Sequence, residues 1–529
     1  MAGNPLTLKE NYWEQFSVQE EDLEYLYNHL LDIGQPQPLQ YLVKILIEGR
    51  IKQELKNIEK RQKVAGTIYK PLESYEIGQN LIFPALGYLS GKVTNIRTGN
   101  NPDLTPFKVI EVSLETDERK EFAAELTDHK LNQVVITGGN DPLLDFDYVF
   151  QTYGQQLEKY LAAELSKNPE LVKFADQWFP RSLLVDINIG YLNLAEAVLD
   201  MNGGGPLETA KIIEQIDLPM DDNPTLVEFS LNLGMEKDGR FDEVGSSGKV
   251  LWFLRRLEPP EVQNVPVYLE YEPINYDKSL AKEMLSSFEG IIADELEFTE
   301  NGNPKSNTIT ISLIYPHWRA GTLPLSPMMQ SFFPTAYESP RVQFTFVDGQ
   351  TKQKFNGWVV RPYHYVSGLA DWYRSLDLMP GSLIQITRSK PGEVVINVDR
   401  RRPSREWIRT ALVGADGGVV FAMLKQMVTA SYNERMVIAV PDAENLDKLW
   451  QQKQYRNRPL EKIIITMMRE LSKLNPQGHV HVQELYAAVN ILRRCPPGPI
   501  VSMLLSQPWS RHMGDLYFRL SENVVGGAE

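Results

Sequence analysis

The first part of the chain changes from a helical to an alternating hydrophobic pattern. Residues 20–33 place leucines at helical spacing behind an acidic first turn, and Gly34 follows as a natural stop, so a helix is predicted there. Residues 38–63 continue the helical period after a Gln/Pro turn. Residues 66–83 then alternate, which indicates paired strands. Helix, helix and strand pair give the outline of a winged helix, which we assign to residues 18–75.

Short β runs separated by turn residues follow, and they predict a small antiparallel β-barrel at residues 76–135. The winged-helix outline then recurs twice with different residues. The second copy, with a helical lead-in, occupies residues 145–262, and its wing turns at Gly245 to Gly248. The third copy occupies residues 459–521. Three such units in one chain indicate a repeated binding module.

Strands and short helices between the last two copies predict a larger β structure at residues 265–410. Its strongest local signal is Asp348-Gly349, a turn pair between β-forming runs, which predicts a hairpin. Residues 411–458 connect this structure to the third copy. The whole pattern predicts an α+β, multi-domain protein, which agrees with a length of 529 residues at about 100 to 200 residues per domain.

Two of the three winged-helix copies resemble a known family. Residues 190–257 and 459–520 resemble HARE-type winged helices, the class that includes the folded domain of the bacterial RNA polymerase delta subunit. In the first of these regions the resemblance is carried by residues that open the second helix and form the wing: Pro206, Leu207, Gly239, Arg240, Phe241, Val244, Gly245, Trp252 and Leu254. The last region offers Trp509 to Leu520 as its wing and lacks the Arg-Phe pair.

Residues 308–399 are similar to the DNA-binding pseudobarrel of plant auxin-response factors and of some restriction-enzyme recognition domains. The resemblance is carried by the order strand, loop, strand, short helix, hairpin, helix and strand. It implies that two loops face the major groove of DNA. Their side chains are, by position, His317, Trp318, Arg319 and Thr322 in one loop and Trp358, Arg361, Tyr363 and His364 in the other. We expect DNA contacts from Arg319, Arg361 and His364, whereas barrel packing is the alternative for the two tryptophans.

The distribution of charge changes the meaning of the net charge. A value of −15 speaks against nucleic acid, because phosphate binding depends on Lys and Arg. The basic residues are, however, concentrated: residues 39–70 hold eight basic and three acidic residues, residues 388–409 hold seven and three, and residues 452–519 hold ten and four. Solvated helical faces are the alternative interpretation. The windows overlap the predicted binding units, which favours DNA.

The predicted DNA contacts are basic side chains of these windows. In the first winged helix, one broad helical face carries Arg50, Lys52, Lys56, Lys60 and Lys63. Arg493 and Arg494 precede the third helix of the last copy, where amide and guanidinium groups can meet phosphate together. Arg400, Arg401 and Arg402 form a flexible-looking run that could follow the DNA backbone, with a solvated linker as the alternative.

The sequence contains none of the common catalytic motifs. A Gly-x-Ser-x-Gly elbow, a Walker A loop, a His-Glu-x-x-His helix and a dinucleotide fingerprint are all missing, so we expect no enzyme, no catalytic residue and no cofactor. Cys495 is the only cysteine, which excludes an intramolecular disulfide and a multi-thiolate zinc site. His479 and His481 lack a nearby third ligand, and no metal is expected.

These patterns favour a non-enzymatic, cytoplasmic DNA-binding protein in transcription regulation or in defence against foreign DNA. Apolar runs stop short of the roughly 18 residues of a membrane span, and the acidic N-terminal region is unlike a signal peptide, so no membrane contact is expected. The alternative is an acidic adaptor that docks on RNA polymerase or another protein machine. The middle copy fits that role, since Glu228, Glu236 and Asp238 on its third helix would repel DNA. An enzyme of unrecognised type is a third alternative.

Overall fold

The computed structural model of the chain divides into two compact units. Unit 1 comprises Met1–Asp186 and Met220–Ser230, and unit 2 comprises Ile187–Pro219 and Leu231–Glu529. The structure describes residues 8 and 10–521, apart from 66, 87–88, 103, 117, 134–140, 217, 219–222, 247, 287–291, 298–305 and 415–416 and from the side chains of 59, 61–65 and 84. The division after Asp186 falls inside the domain predicted at 145–262.

The described elements of unit 1 follow in chain order. They are α1 (Glu20–Ile33), β1 (Gln37–Pro38), α2 (Leu39–Ala65), β2 (Thr67–Ile68), β3 (Asn80–Phe83), β4 (Leu89–Thr98), β5 (Lys108–Leu114), β6 (Arg119–Ala124), α3 (Phe146–Leu165), β7 (Leu171–Phe174) and β8 (Gln177–Pro180).

Helices α1, α2 and α3 share one hydrophobic core, and the sheet β1-β8-β7 completes a winged helix. The helix predicted at residues 20–33 is confirmed. It begins with three acidic residues and ends at Gly34, whose φ of 64° is the left-handed conformation typical of a helix stop.

The wing of this first winged helix differs from the strand pair predicted at residues 66–83. The antiparallel pair β7–β8, which follows α3, forms the wing. The predicted pair instead opens a sheet of order β2-β3-β4-β5-β6 that is inserted between α2 and α3. Leu81, Ile82 and Phe83 are all buried, which suits an interior strand and not an exposed wing. Although β2 and β3 run parallel, the two ends of this sheet meet, as in the small barrel predicted for this region. The N–H groups of Glu125 and Leu126 donate to the carbonyls of Glu73 and Pro71, and the rings of Phe83 and Phe122 stack with their centroids 4.2 Å apart.

The elements of unit 2 begin with the second winged helix. They are α4 (Ile189–Met201), β9 (Leu207–Glu208), α5 (Thr209–Ile216), α6 (Pro224–Lys237), β10 (Phe241–Glu243), β11 (Leu251–Leu254), α7 (Pro260–Gln263) and α8 (Lys278–Ser286). The division of the chain groups residues 224–230 of α6 with unit 1 and the remainder of that helix with unit 2.

The elements that follow form a large β structure and the third winged helix. They are β12 (Thr308–Ser312), α9 (Tyr315–Ala320), β13 (Thr322–Pro324), β14 (Arg341–Asp348), β15 (Lys354–Val360), β16 (Tyr365–Ser367), α10 (Ala370–Ser375), β17 (Leu383–Arg388), β18 (Glu393–Asn397), β19 (Arg400–Val413), β20 (Val419–Ala430), α11 (Ala443–Gln451), α12 (Leu460–Ser472), β21 (Val480–His481), α13 (Val482–Leu492), α14 (Pro497–Ser506), β22 (Ser510–Gly514) and β23 (Tyr517–Leu520).

The second and third winged helices repeat the strand order of the first. Their sheets are β9-β11-β10 and β21-β23-β22, so the short first strand always pairs with the last strand, as in β1-β8-β7. In the second copy, Trp252 Nε1 on the wing donates to Asn232 Oδ1 of α6 at 2.9 Å, and Thr209 Oγ1 of α5 donates to the same oxygen at 2.5 Å. This buried network fixes the wing to both helices.

The larger β structure is an open half-barrel with strand order β12-β17-β18-β14-β15-β16-β13. The pair β14–β18 is parallel, the other neighbours are antiparallel, and β12 and β13 are the edges. The hairpin predicted at Asp348-Gly349 is confirmed, with Asp348 Oδ1 accepting from the N–H groups of Gln350 and Thr351. The loop predicted between the first two strands contains helix α9.

A long two-stranded hairpin, here termed the ribbon, consists of β19 and β20. The predicted flexible run at residues 400–402 is therefore the start of a strand, and the predicted connecting segment at 411–458 contains β20 and α11. Ala411 and Phe421 near the tip of the ribbon belong to the core of the third winged helix.

The predicted α+β, multi-domain fold class is confirmed by these separate helical bundles and sheets. Within the described residues, no helix combines the length and apolar character that crossing a membrane requires.

Candidate nucleic-acid interface

Three lysines on α2 form an exposed row, here termed the lysine stripe. Lys52, Lys56 and Lys60 lie four residues apart, so they follow one face of the helix at intervals of about 6 Å. All three are exposed, and none of their side chains has an ion pair or hydrogen bond with the described part of the chain. Ile51 and Ile58 are buried on the same stretch, which anchors the helix behind the stripe.

The two other predicted cations of α2 do not join this stripe. Arg50 Nη2 lies 2.5 Å from Asp22 Oδ2, and the guanidinium covers the ring of Phe16 at 5.4 Å from its centroid. The Arg50 side chain is 12% exposed and fastens α2 to α1, so the structure argues against its predicted role at phosphate. The side chain of Lys63 lies outside the described residues.

The predicted reading residues of the half-barrel have partners within the protein. Arg319 forms a bidentate ion pair with Asp447 of α11, with an Nε–Oδ1 distance of 2.9 Å and an Nη2–Oδ2 distance of 2.5 Å. Arg361 Nη2 donates to the carbonyl of Pro334 at 2.9 Å, and burial lowers the pKa of Arg361. His364 is half-buried and has a left-handed φ of 57°. Both guanidinium groups are thus committed to internal contacts, which argues against the predicted base contacts.

Arg494 belongs to a buried ion network, and its predicted phosphate contact is wrong. Its side chain is 0% exposed, and Nη2 lies 2.7 Å from Asp294 Oδ1 and 2.8 Å from Glu295 Oε1. Tyr486 donates to Asp294 at 2.6 Å, and a ring nitrogen of His317 lies 2.9 Å from Glu295. Burial alone would raise the pKa of Glu295, but Arg494 and His317 overcome this effect and hold that pKa well below its ordinary value.

The two residues beside Arg494 in the chain are also held by the protein. Arg493 Nη1 donates to the carbonyl of Arg458 at 2.9 Å and remains half-buried. Cys495 is fully buried, and burial raises the pKa of its thiol to about 12, which leaves it unreactive at neutral pH.

The remaining predicted group, Arg400 to Arg402, opens the ribbon. Arg401 Nε donates to Ser431 Oγ at 3.0 Å, and its guanidinium lies 5.6 Å from the centroid of the Tyr432 ring. Arg400 and Arg402 are exposed, and neither side chain has an ion pair or hydrogen bond with a described residue. These two arginines are therefore available for phosphate.

Beyond these arginines, the ribbon has one buried and one exposed face. Ile408 and Val428 are 2% and 1% exposed and pack with Val437 and Ala439. The opposite face carries three successive cross-strand pairs, Arg405–Met427, Trp407–Lys425 and Arg409–Met423.

The exposed face of the ribbon, here termed the ribbon face, combines an indole, thioethers and cations. Trp407 is 62% exposed, Met427 51% and Met423 41%. Lys425 Nζ lies 5.5 Å from the centroid of the Trp407 ring. The side chain of Arg405 is exposed and has no ion pair or hydrogen bond with any described residue. This face can offer an apolar ring to a ligand and positive charge around it.

The sequence interpretation missed the ribbon face, although a signal was present. Residues 404–413 and 419–428 are rich in strand-forming residues and flank a glycine-containing turn at 414–418. That combination predicts a hairpin and would have placed Trp407 and Lys425 on one face.

The described residues contain no group of three His, Cys, Asp or Glu side chains suited to holding a metal ion. His481, one of the His-x-His pair, instead lies at the N-terminus of α13, where its Nδ1 accepts from the Gln483 N–H at 3.1 Å.

Comparison of the chain with family models, with curated proteins and with solved structures gives no match in any of the three. The resemblances to HARE-type winged helices and to the plant-type pseudobarrel therefore remain predictions.

Proposed function

We propose that this chain is a non-enzymatic DNA-binding protein whose lysine stripe contacts the phosphates of duplex DNA. The observation that carries the proposal is the stripe itself: Lys52, Lys56 and Lys60 are exposed, evenly spaced and unpaired with described residues. Most other predicted cations of the chain have internal partners, as Arg50, Arg319 and Arg494 do. Three cations on one helical face with no described side-chain partner suit an anionic partner.

The geometry of the stripe suits a polyanion of closely spaced charges. From Lys52 to Lys60 the helix rises about 12 Å. Duplex DNA carries one negative charge for about every 1.7 Å of its axis, so each lysine has a phosphate within reach. Contacts of this kind position a protein on DNA but carry no sequence information. We therefore expect binding that is largely independent of sequence.

The proposed setting is the cytoplasm, with a role in transcription regulation or in defence against foreign DNA. The single cysteine, Cys495, is a free and buried thiol, which suits a reducing compartment. The three winged helices support a DNA-associated role, because this fold commonly presents helices and wings to nucleic acid.

The lysine stripe can be tested with the triple variant Lys52→Gln, Lys56→Gln and Lys60→Gln in the full chain. Binding to a random-sequence duplex of about 25 base pairs is measured by mobility shift or fluorescence anisotropy at several salt concentrations. With four to six phosphate contacts, the wild-type slope of log affinity against log salt should be about −4 to −5. Loss of three contacts should flatten that slope by about 2.7 and weaken binding on every sequence alike.

A matched control removes the same charge from the second winged helix. The side chains of Lys211, Lys237 and Lys249 are exposed and also lack hydrogen bonds and ion pairs with described residues. Their triple change to Gln should leave both affinity and slope close to wild type. Equal losses in the two triple variants would show that net charge alone matters, and wild-type affinity that does not depend on salt would exclude the proposed function and favour a protein-docking adaptor.

A further inference from the structure

We propose that the ribbon face binds single-stranded nucleic acid, with an unstacked base on the indole of Trp407 and phosphates on the surrounding cations. This inference goes beyond the duplex binding proposed above. It concerns a surface of unit 2 that shares no residue with the lysine stripe of unit 1.

Trp407 is the central residue of the ribbon face, and its exposed indole serves no packing purpose. The side chain is 62% exposed, whereas Ile408 on the other face of the same strand is 2% exposed and packs in the interior. Met423 and Met427 lie on the partner strand, two residues before and two residues after Lys425, and so on the same face. Thioethers adapt readily to flat apolar ligands, so this surface is suited to a planar group.

The charge around Trp407 indicates that the planar group belongs to a polyanion. Arg405 and Lys425 lie on the ribbon face, and Arg400 and Arg402 lie at the start of β19. Roughly 24 Å of strand separates Arg400 from Trp407, enough to follow several nucleotides. Glu406 is the only acidic residue in β19 or β20.

The acidic groups near the ribbon do not neutralise this charge. Glu406 belongs to the opposite face, where it accepts hydrogen bonds from Tyr432 at 2.6 Å and from Ser404 at 2.8 Å. Glu484 is engaged by Arg409, whose Nη2 lies 2.8 Å from its Oε1. The two strands therefore place no carboxylate on the ribbon face beside Arg405 and Lys425.

A single strand fits this face better than a duplex does. In a duplex the flat faces of the bases are covered by their neighbours, whereas a single strand exposes them for stacking on aromatic side chains. Stacking of this kind tolerates any sequence, because every base has a π face. The Trp407 indole would have no base to stack on in an intact duplex. Loss of the indole should therefore weaken binding of single strands much more than binding of a duplex.

The test uses the full chain and labelled probes of about 20 nucleotides: oligo-dT, oligo-rU and a duplex of equal length. Trp407→Ala should weaken binding of the single strands roughly 5- to 100-fold and change duplex binding little. Trp407→Phe retains an aromatic ring and should recover most of the affinity. Arg405→Gln combined with Lys425→Gln should flatten the salt slope for single strands by about 1.4.

The control variant is Leu424→Ala, which removes a 37% exposed apolar side chain from the other face of the ribbon. It should bind the single strands as the wild type does. The lysine-stripe variant should also keep single-strand binding, so the two proposals fail independently. Thermal unfolding of each variant checks that it is folded. If Trp407→Ala were unstable, single-strand binding by Trp407→Phe and by the Arg405→Gln/Lys425→Gln variant would still test the inference.

Three outcomes would overturn the inference. One is an equal loss of duplex and single-strand binding in Trp407→Ala, which would assign the indole a structural role. Another is unchanged single-strand binding in that variant. The third is binding to vesicles that contain anionic phospholipid without binding to either oligonucleotide, which would identify the ribbon face as a membrane-surface site.

Discussion

Glu258, which follows β11, has a side chain that is 0% exposed and two carboxyl oxygens that make no hydrogen bond with the described part of the chain. Burial and, next, the neighbouring Asp242 raise the pKa of Glu258 to about 8, although Arg341 and Arg255 oppose the shift. Arg341 lies closer to Asp242 than to Glu258. The distance from Arg341 Nη1 to Asp242 Oδ2 is 3.1 Å, whereas the distance from Arg341 Nε to Glu258 Oε2 is 3.9 Å. The protonated, neutral form of Glu258 is therefore favoured in the folded protein.

This preference predicts a pH dependence of stability. The folded state keeps the proton up to about pH 8, whereas the unfolded state releases it above about pH 4.5, so the stability from this group is full below pH 4.5 and is lost as pH rises to about 8. Glu258→Gln imitates the protonated acid and should reduce the fall in Tm between pH 5 and pH 8. The exposed Glu208→Gln is the control. Parallel Tm curves for wild type and Glu258→Gln would contradict the assignment.

The N-terminus of helix α13 is capped by residues that are adjacent to it in the sequence. His481 precedes the helix, and its Nδ1 accepts from the Gln483 N–H, while Glu484 accepts from the His481 N–H at 3.3 Å. Burial and the neighbouring Arg435 lower the pKa of His481 to about 4, so the ring is neutral and can accept at neutral pH. The His-x-His pair considered for metal thus supplies a helix cap.

His481→Ala should remove this cap and lower the free energy of unfolding by about 1 kcal/mol. His481→Asn, whose side-chain oxygen can also accept from the helix, should recover most of that loss. Urea unfolding at pH 7 compares the two variants with wild type. Equal destabilisation by Ala and Asn would show that the imidazole matters for packing and not for capping.

Local patterns predicted the elements whose determinants are close together in sequence. The leucine spacing and Gly34 define α1, and Asp348-Gly349 defines the turn between β14 and β15. The prediction of the first wing at residues 66–83 was wrong because the determinants of the wing are far apart in sequence. The true wing, β7–β8, pairs with β1 across more than a hundred residues of inserted sheet and helix, and no local signal reports that pairing.

The candidate site was less predictable than the fold because charge in the sequence does not show where a side chain finds its partner. Arg319 and Asp447 are 128 residues apart, and Arg494 and Asp294 are 200 residues apart. Both arginines looked free in the sequence. Lys52 and Lys56 were predicted and are exposed, because four-residue spacing on a helix is a local property.

At the scale of the whole molecule, three winged helices share one strand order but present different surfaces. The first exposes the lysine stripe. In the second, Arg240 forms ion pairs with Asp238 and Glu196, and the nitrogen–oxygen distance is 2.6 Å in each pair. The third buries Arg494, although that arginine lies only three residues before the start of its last helix. Surface charge, more than topology, therefore distinguishes the copy that we propose to face DNA from the other two.

The buried network of Arg494 joins the third winged helix to the half-barrel within unit 2. Arg494 follows α13 and contacts Asp294 and Glu295, and Glu295 in turn contacts His317 on α9. Pairs of this kind gain little over apolar packing, but removing one partner leaves an uncompensated charge in the interior. The network should therefore make the two substructures unfold together.

Arg494→Met should destabilise unit 2 by about 3 to 5 kcal/mol, because Asp294 and Glu295 lose their cation while remaining buried. Urea unfolding followed by tryptophan fluorescence reports mainly on this unit, since of the nine tryptophans only Trp13 and Trp178 belong to unit 1. Arg493→Met is the matched control, because that arginine is half-exposed and bonds a carbonyl. Adding Asp294→Asn and Glu295→Gln to Arg494→Met removes the stranded charges and should restore part of the loss. If Arg493→Met and Arg494→Met were equally stable, the network would not hold the winged helix and half-barrel together, and their cohesion would have to come from apolar packing around Tyr315 and Trp450.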